Sequence, residues 1–401
     1  MAPINTEKTK KQKWSDINKI KKEEKKKWKE QNMMRKLNKK KLNVDKTVPE
    51  ETLETPKIDK ISTFISTLSI AVPGSILENA QSHELRTYLA GQIARAACIF
   101  QVDEIVVFDD YGDEANSKKS TIEDNGGLIT ARHSCVQLGR ILQYLECPQY
   151  LRKSFFPIHN DLKYCGILNP LNAPHHMGPN DQFAYREGVV LNKPVKSGRG
   201  SCVNVGLLKD VHVDKSLTPG LRCTVQLLPQ QDNSKKLKGI VVSPATPRKE
   251  TGIYWGYSVR IANSLSKVFS QCPYDGYDLI IGTSDKGTSV DEFNCPKYKH
   301  LLIMFGGLQG LEAAIENDPV LQVDDPQLLF DQYLNTLPNQ GSKTLRTEEA
   351  ILVSLAALRS KLNPEGKCAE FKGFSEDVSE TVPIDSGDKQ VDSGDDMSRF
   401  D

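Results

Sequence analysis

Apolar and polar residues first fall into a regular order near Ile61. Residues 62–72 (STFISTLSIAV) alternate and then become continuously apolar, which predicts a strand that Pro73 and Gly74 stop. Over 75–100, Ile76, Leu77, Leu85, Leu89 and Ile93 recur at helical spacing, and Ala90, Ala94 and Ala97 permit close packing, so a helix is expected. Residues 104–109 (EIVVFD) form a short apolar run of the buried-strand kind, ending in Asp109 and Asp110. A glycine-bearing loop to Gly127 and a second helix over 128–145 are predicted next. Strand, helix, strand, helix implies a parallel α/β sheet with right-handed crossovers.

The pattern changes after Pro148, where proline and glycine interrupt any helical period. Residues 183–243 carry only short β-type runs, among them 202–205, 221–228 and 239–243. They predict a small barrel resembling an OB-fold, an architecture that serves elsewhere as a platform for single-stranded nucleic acid. The α/β pattern then resumes: a helix over 258–269, strands over 277–281 and 300–305, a helix over 308–316, extended chain over 330–337 and an amphipathic helix over 347–362. The barrel therefore reads as an insertion. The expected organisation is an arm over 1–57, an α/β domain in two pieces (58–160 and 250–365), an OB-like insert over 161–249 and a tail over 366–401.

Charge alters the picture only through its distribution. The formal net charge is +1, yet residues 8–46 hold 17 Lys or Arg against 5 Asp or Glu, and residues 373–401 hold 9 acids against 2 bases. A basic block of that density attracts phosphate through counterion release, and RNA is the expected partner; a solvated charged helix or a localisation signal has the same composition. The acidic, serine-bearing tail is expected to be disordered. The nine cysteines show no zinc-knuckle or redox spacing, and His175-His176 lacks spaced partners, so no metal is expected. No apolar run reaches bilayer length and no secretory signal is recognisable, which leads to the expectation of no membrane association and a nuclear, nucleolar or cytoplasmic location.

Ligands of open α/β sheets collect beyond the carboxyl ends of the strands. Three loops are expected at that edge: 282–287 (GTSDKG), 305–310 (FGGLQG) and 337–349 (LPNQGSKTLRTEE). Thr347 with Glu348 and Glu349 can open the last helix, which leaves Asn339, Gln340, Lys343 and Arg346 without a purely structural account.

In these segments the chain resembles the SPOUT methyltransferases. The resemblance lies in 279–282 (LIIG), 302–307 (LIMFGG) and 345–351 (LRTEEAI), the last similar to the LRTETA stretch of bacterial enzymes that methylate uridine N3 in ribosomal RNA, from which it departs at Glu349. Through 174–177 (PHHM) and 254–260 (YWGYSVR) it is closer to the eukaryotic and archaeal branch with an OB-like insertion. The resemblance implies a trefoil-knotted sheet, S-adenosylmethionine as methyl donor and a homodimer joined through the knot. It places Gly282, Thr283, Phe305, Gly306, Gly307, Leu337, Asn339, Gln340, Thr344, Leu345 and Thr347 around the donor. Arg260 and Arg346 are candidates to hold phosphate or steady charge on the base, and Glu348 is a candidate base. Trp255 and Tyr257 either stack on a flipped base or pack in the core. The implied activity is methylation of structured RNA, with uridine N3 favoured by the LRTE similarity. The alternative is an RNA-binding adaptor at the mitotic spindle, centrosome or kinetochore, as the eukaryotic branch suggests.

Overall fold

The computed structural model describes residues 65–112, 119–124, 127–194, 200–229, 236–321 and 326–366; the basic arm and the acidic tail lie outside them. In chain order the elements are β1 (Thr67–Pro73), α1 (His83–Ile99), β2 (Glu104–Phe108), β3 (Lys119–Asp124), β4 (Gly127–Arg132), α2 (His133–Glu146), α3 (Gln149–Phe155), β5 (Tyr185–Val190), β6 (Cys202–Asn204), β7 (Val211–Val213), β8 (Arg222–Leu227), β9 (Leu237–Val242), α4 (Thr246–Thr251), β10 (Ser258–Ala262), α5 (Leu265–Ser270), β11 (Leu279–Ser289), β12 (His300–Met304), α6 (Gly310–Glu316), β13 (Gln332–Asn335) and α7 (Thr347–Arg359).

Six strands form one sheet in the order β10-β2-β1-β12-β11-β13, and every pairing in it is parallel. A parallel sheet is covered on both faces, so its central strands read as unbroken apolar runs; β2 is buried from end to end. Helices α1, α2 and α7 supply Ile93, Leu138, Leu142, Ile351 and Leu355 to the core on one face. On the other face α5 and α6 contribute Leu265, Val268, Leu311 and Ile315. Strands β5 to β9 close a barrel in the order β5-β6-β7-β9-β8 around Val203, Val211, Val213 and Val225, inside the span expected for the insertion.

Three element predictions are corrected. The helix expected over 258–269 is a strand followed by a short helix: Val259 and Ile261 are β-branched, and β10 finds β2 as a partner over its whole length. The second helix begins at His133, because 127–132 pairs with 119–124 as a hairpin. The first helix is split. Gly74–Asn79 is a 3-10 turn, and α1 starts after Ser82, whose hydroxyl accepts from the Leu85 N–H at 3.2 Å.

The barrel meets the α/β body at the amino ends of the sheet strands. Arg222 of β8 donates to both carboxylate oxygens of Glu146, at 2.7 and 2.9 Å, and to Glu187 at 2.9 Å. The Trp255 indole N–H and the Thr224 hydroxyl also donate to Glu187, at 2.7 and 2.6 Å. The His175 and His176 rings lie 2.9 and 2.6 Å from the Glu146 carbonyl. The PHHM and YWGYSVR segments thus fasten the insert to the body. Trp255 and Tyr257 are core residues: both are buried, and the Tyr257 hydroxyl donates to the Leu142 carbonyl at 3.0 Å.

Candidate active site

The three predicted loops converge at the carboxyl edge. The first is a bulge within β11. Thr283 and Thr288 both register with Leu334 of β13, so the four residues between them leave the ladder. A Cβ at Gly287 would lie 2.5 Å from the Leu334 carbonyl carbon, so only glycine lets the strand rejoin its partner.

Side chains tie the loops together. Thr283 Oγ1 donates to the Met304 carbonyl at 2.8 Å, linking the bulge to the end of β12. Asn335 Nδ2 donates to the Asp285 carbonyl at 3.0 Å, while its Oδ1 accepts from the Leu337 N–H at 3.1 Å. Thr347 Oγ1, at the head of α7, donates to the Gly306 carbonyl at 2.9 Å. Thr347 therefore joins the third loop to the second instead of capping its own helix. The opening of α7 is steadied by Glu349, whose carboxylate accepts the Arg346 N–H at 3.1 Å. Asn339 sits in the left-handed region at φ 59°, a conformation unusual outside glycine, at the point where the third loop turns.

The named residues divide accordingly. Gly306, Gly307, Leu337, Asn339, Gln340, Thr344 and Leu345 lie in the loops at this edge, and Thr283 and Thr347 border them at the end of the β11 ladder and the head of α7. Phe305 lies there too, but its side chain is buried in the core, so only its backbone can serve a ligand. Gly282 backs onto Phe330, whose ring a Cβ would meet at 2.5 Å. Arg346 is exposed beside the loops, and Glu348 is half-buried in the first turn of α7.

Arg260 is the correction. Its Nε donates to the buried Glu104 carboxylate at 3.0 Å, and another of its nitrogens reaches the Val268 carbonyl and the Tyr277 hydroxyl, each at 3.1 Å. Glu104 opens β2 and Tyr277 precedes β11, so the guanidinium faces the amino edge, away from the loops. A cation beside a strand whose first residue is a buried carboxylate is held by that carboxylate, and the sequence alone did not show the two to be neighbours.

The structure adds groups that the loop pattern missed. Ser75 follows β1, Asp110 follows β2, and both meet the Gly307 loop. Ser75 Oγ donates to Asp110 Oδ2 at 2.5 Å, and a Cβ on Gly307 would lie 3.1 Å from that hydroxyl and 3.0 Å from that carboxylate oxygen. Burial pushes the Asp110 carboxyl above its ordinary pKa, against the hydrogen bonds from Ser75. Burial raises neighbouring Asp109 as well, although Arg132 Nε donates to it at 3.2 Å. The sequence signal was available in the paired aspartates at the carboxyl end of an apolar strand.

The loop edge offers backbone amides, carbonyls and hydroxyls, with Leu308, Leu337 and Leu345 beside them, and Leu308 is 77% exposed. Such a donor set suits a flat, uncharged heterocycle carrying a hydroxylated sugar, as in S-adenosylmethionine.

Comparison with known proteins places these features in context. A family profile described as "Putative RNA methyltransferase" matches residues 67–358. A protein of Drosophila melanogaster named 28S rRNA (uridine-N(3))-methyltransferase is 60% identical over 307 residues, covering 75% of this chain and 63% of that protein. Proteins of the same name from Mus musculus and Homo sapiens are 58% and 54% identical, covering 75% and 80% of this chain and 78% and 85% of theirs. The chain thus spans less than two thirds of the fly relative's length.

Proposed function

This chain belongs to the RNA methyltransferase family, and from that premise we propose that it transfers a methyl group from S-adenosylmethionine to N3 of a uridine in large-subunit ribosomal RNA. The observation that carries the reading is the convergence of three separate loops on one sheet edge, in a chain 54–60% identical to three proteins named for that reaction.

The sulfonium of the donor supplies an electrophilic methyl group, so the protein needs no covalent intermediate. Its own residues bind, orient and exclude water. The loop carbonyls and amides would hold the adenosine, and the cross-loop bonds from Thr283, Asn335 and Thr347 keep the three loops in one arrangement. Arg346, exposed at the rim, is placed to meet an RNA phosphate. The acceptor base must leave its stack to present N3, and its proton must leave before or as the new bond forms.

The test is transfer of labelled methyl to RNA from cells lacking this protein, followed by nucleoside analysis. Label in N3-methyluridine of the large ribosomal RNA is expected, falling about tenfold or more in Asn339→Ala and Arg346→Ala. Tight RNA binding without any transfer would favour the adaptor reading.

A further inference from the structure

Asp110 and Ser75 form a carboxylate–hydroxyl pair at the seam of three strand ends, and no role in the loop chemistry above uses them. Asp110 stands out among the acids at the two ends of β2. Asp109 is paired with Arg132, Glu104 with Arg260 and Asp103 with Arg248, whereas the hydrogen bonds found for the Asp110 carboxylate come from the Ser75 hydroxyl at 2.5 Å and the Ser75 N–H at 3.4 Å. Its main chain is anchored from the end of α6, where Asn317, the residue after the helix, donates through Nδ2 to the Asp110 carbonyl at 3.0 Å. Gly307 leaves clear the space in front of the pair, since any side chain there would press on both oxygens.

We propose that Asp110, oriented by Ser75, is the base that takes the N3 proton of the acceptor uridine. The inference rests on the function proposed above and deepens it. In the step, the N3–H bond leaves its electron pair on nitrogen and its proton passes to Asp110 Oδ2. The nitrogen pair forms the new bond to the methyl carbon, and the carbon–sulfur bond breaks with its pair going to sulfur. S-adenosylhomocysteine, N3-methyluridine and a neutral Asp110 carboxyl result, and water then takes the proton. Charge balances, because the sulfonium is neutralised as the carboxylate is.

The environment suits the role. A base for so weak an acid as a uridine imide works best when its own pKa is raised, and burial raises that of Asp110. The charged and titratable groups around it are Asp109, which raises it further, with Arg132, Glu78 and Cys135 grouped about Asp109. Glu348 lies instead in the first turn of α7, where a carboxylate already serves the helix dipole.

The experiment uses the full chain in single turnover on the large ribosomal RNA from cells lacking the protein. Asp110→Asn keeps an oxygen to accept from Ser75 but cannot take a proton. Its rate at pH 7 should fall about 100-fold or more, with S-adenosylhomocysteine affinity by calorimetry and the melting curve within error of wild type. RNA carrying 5-fluorouridine, whose N3 proton is more acidic, should restore the variant far more than it speeds the wild type. Without any substrate, carbon NMR of labelled aspartate should show Asp110 among the carboxyls that titrate above the ordinary aspartate range, beside the buried Asp103 and Asp109, and its resonance should be the one missing in the variant. Ser75→Ala serves as a second variant: removing the hydroxyl should move the acid limb of the rate profile to higher pH. A wild type that methylates uridine N3 beside an equally fast Asp110→Asn, or an acid limb that stays put in Ser75→Ala, overturns this assignment alone. A wild type that puts no methyl on uridine N3 overturns the reading beneath it as well, and the nucleoside analysis distinguishes the two.

Discussion

The two edges of the parallel sheet differ in how completely they pair their carboxylates with cations. At the amino edge, Glu104 meets Arg260, Asp103 meets Arg248 and Glu146 meets Arg222. At the carboxyl edge Asp109 is likewise paired with Arg132 and Lys286 reaches Glu312 at the surface, but Asp110 meets a hydroxyl, and Thr283, Asn335 and Thr347 join the loops through neutral hydrogen bonds. A paired buried charge resists change, because removing either partner strands the other. A carboxylate with a neutral partner keeps its capacity to take a proton. The amino edge thus fastens the barrel and steadies the fold, and the carboxyl edge is left free for a ligand.

The largest effect that would test this division is expected at Arg260. Arg260→Ala leaves Glu104 buried without its cation, which costs about 3–5 kcal/mol and lowers the urea midpoint, while S-adenosylhomocysteine affinity stays within twofold. A variant as stable as wild type that nevertheless loses methyl transfer would return Arg260 to the chemistry and blur the two edges.

A smaller effect, spread over pH, is expected where the barrel is fastened. Burial raises the pKa of Glu146, but Arg222 and His175 outweigh it and hold the carboxyl at about 2. A folded pKa below the ordinary 4.5 means that the pairing is fully present above pH 4.5 and is lost as the pH falls through 2. Burial and the neighbouring His175 lower His176 from 6.5 to about 4, so its contribution is present above pH 6.5 and lost as the pH falls through 4. Urea midpoints should therefore decline from pH 6.5 downward. Glu146→Gln should lower the plateau and flatten the part below pH 4.5; an unchanged slope there would remove Glu146 from the account.

Much of this division was legible in the sequence, but unequally. The loops at 282–287, 305–310 and 337–349 could be read because strand, glycine and helix cap follow one another locally, and the parallel order follows from the alternation of elements. The pattern over 258–269 predicts a helix because the five residues of β10 carry too little period to decide, and its identity as a strand comes from pairing with β2, some 150 residues earlier. The same distance hid the Arg260–Glu104 pair. Ser75 and Asp110 lie 35 residues apart on separate strand ends and meet only when those strands lie side by side. Local chemistry is written in local sequence; a proton-transfer pair assembled across strands is not.

The finest test separates the edges with one atom. Thr347→Val keeps the shape of the side chain and removes the hydroxyl that holds the third loop to the Gly306 carbonyl. The lost bond is worth about 1 kcal/mol, so the melting point should fall only slightly. Gly306 precedes the glycine that faces Ser75 and Asp110, and Thr347 heads the helix that follows the third loop. Loosening that link should weaken S-adenosylhomocysteine binding several-fold in calorimetry. Arg260→Ala, by contrast, should cost stability and leave binding alone. If Thr347→Val and Arg260→Ala both changed stability and binding in proportion, the carboxyl edge would be a rigid part of the fold, and the division between the two edges would fail.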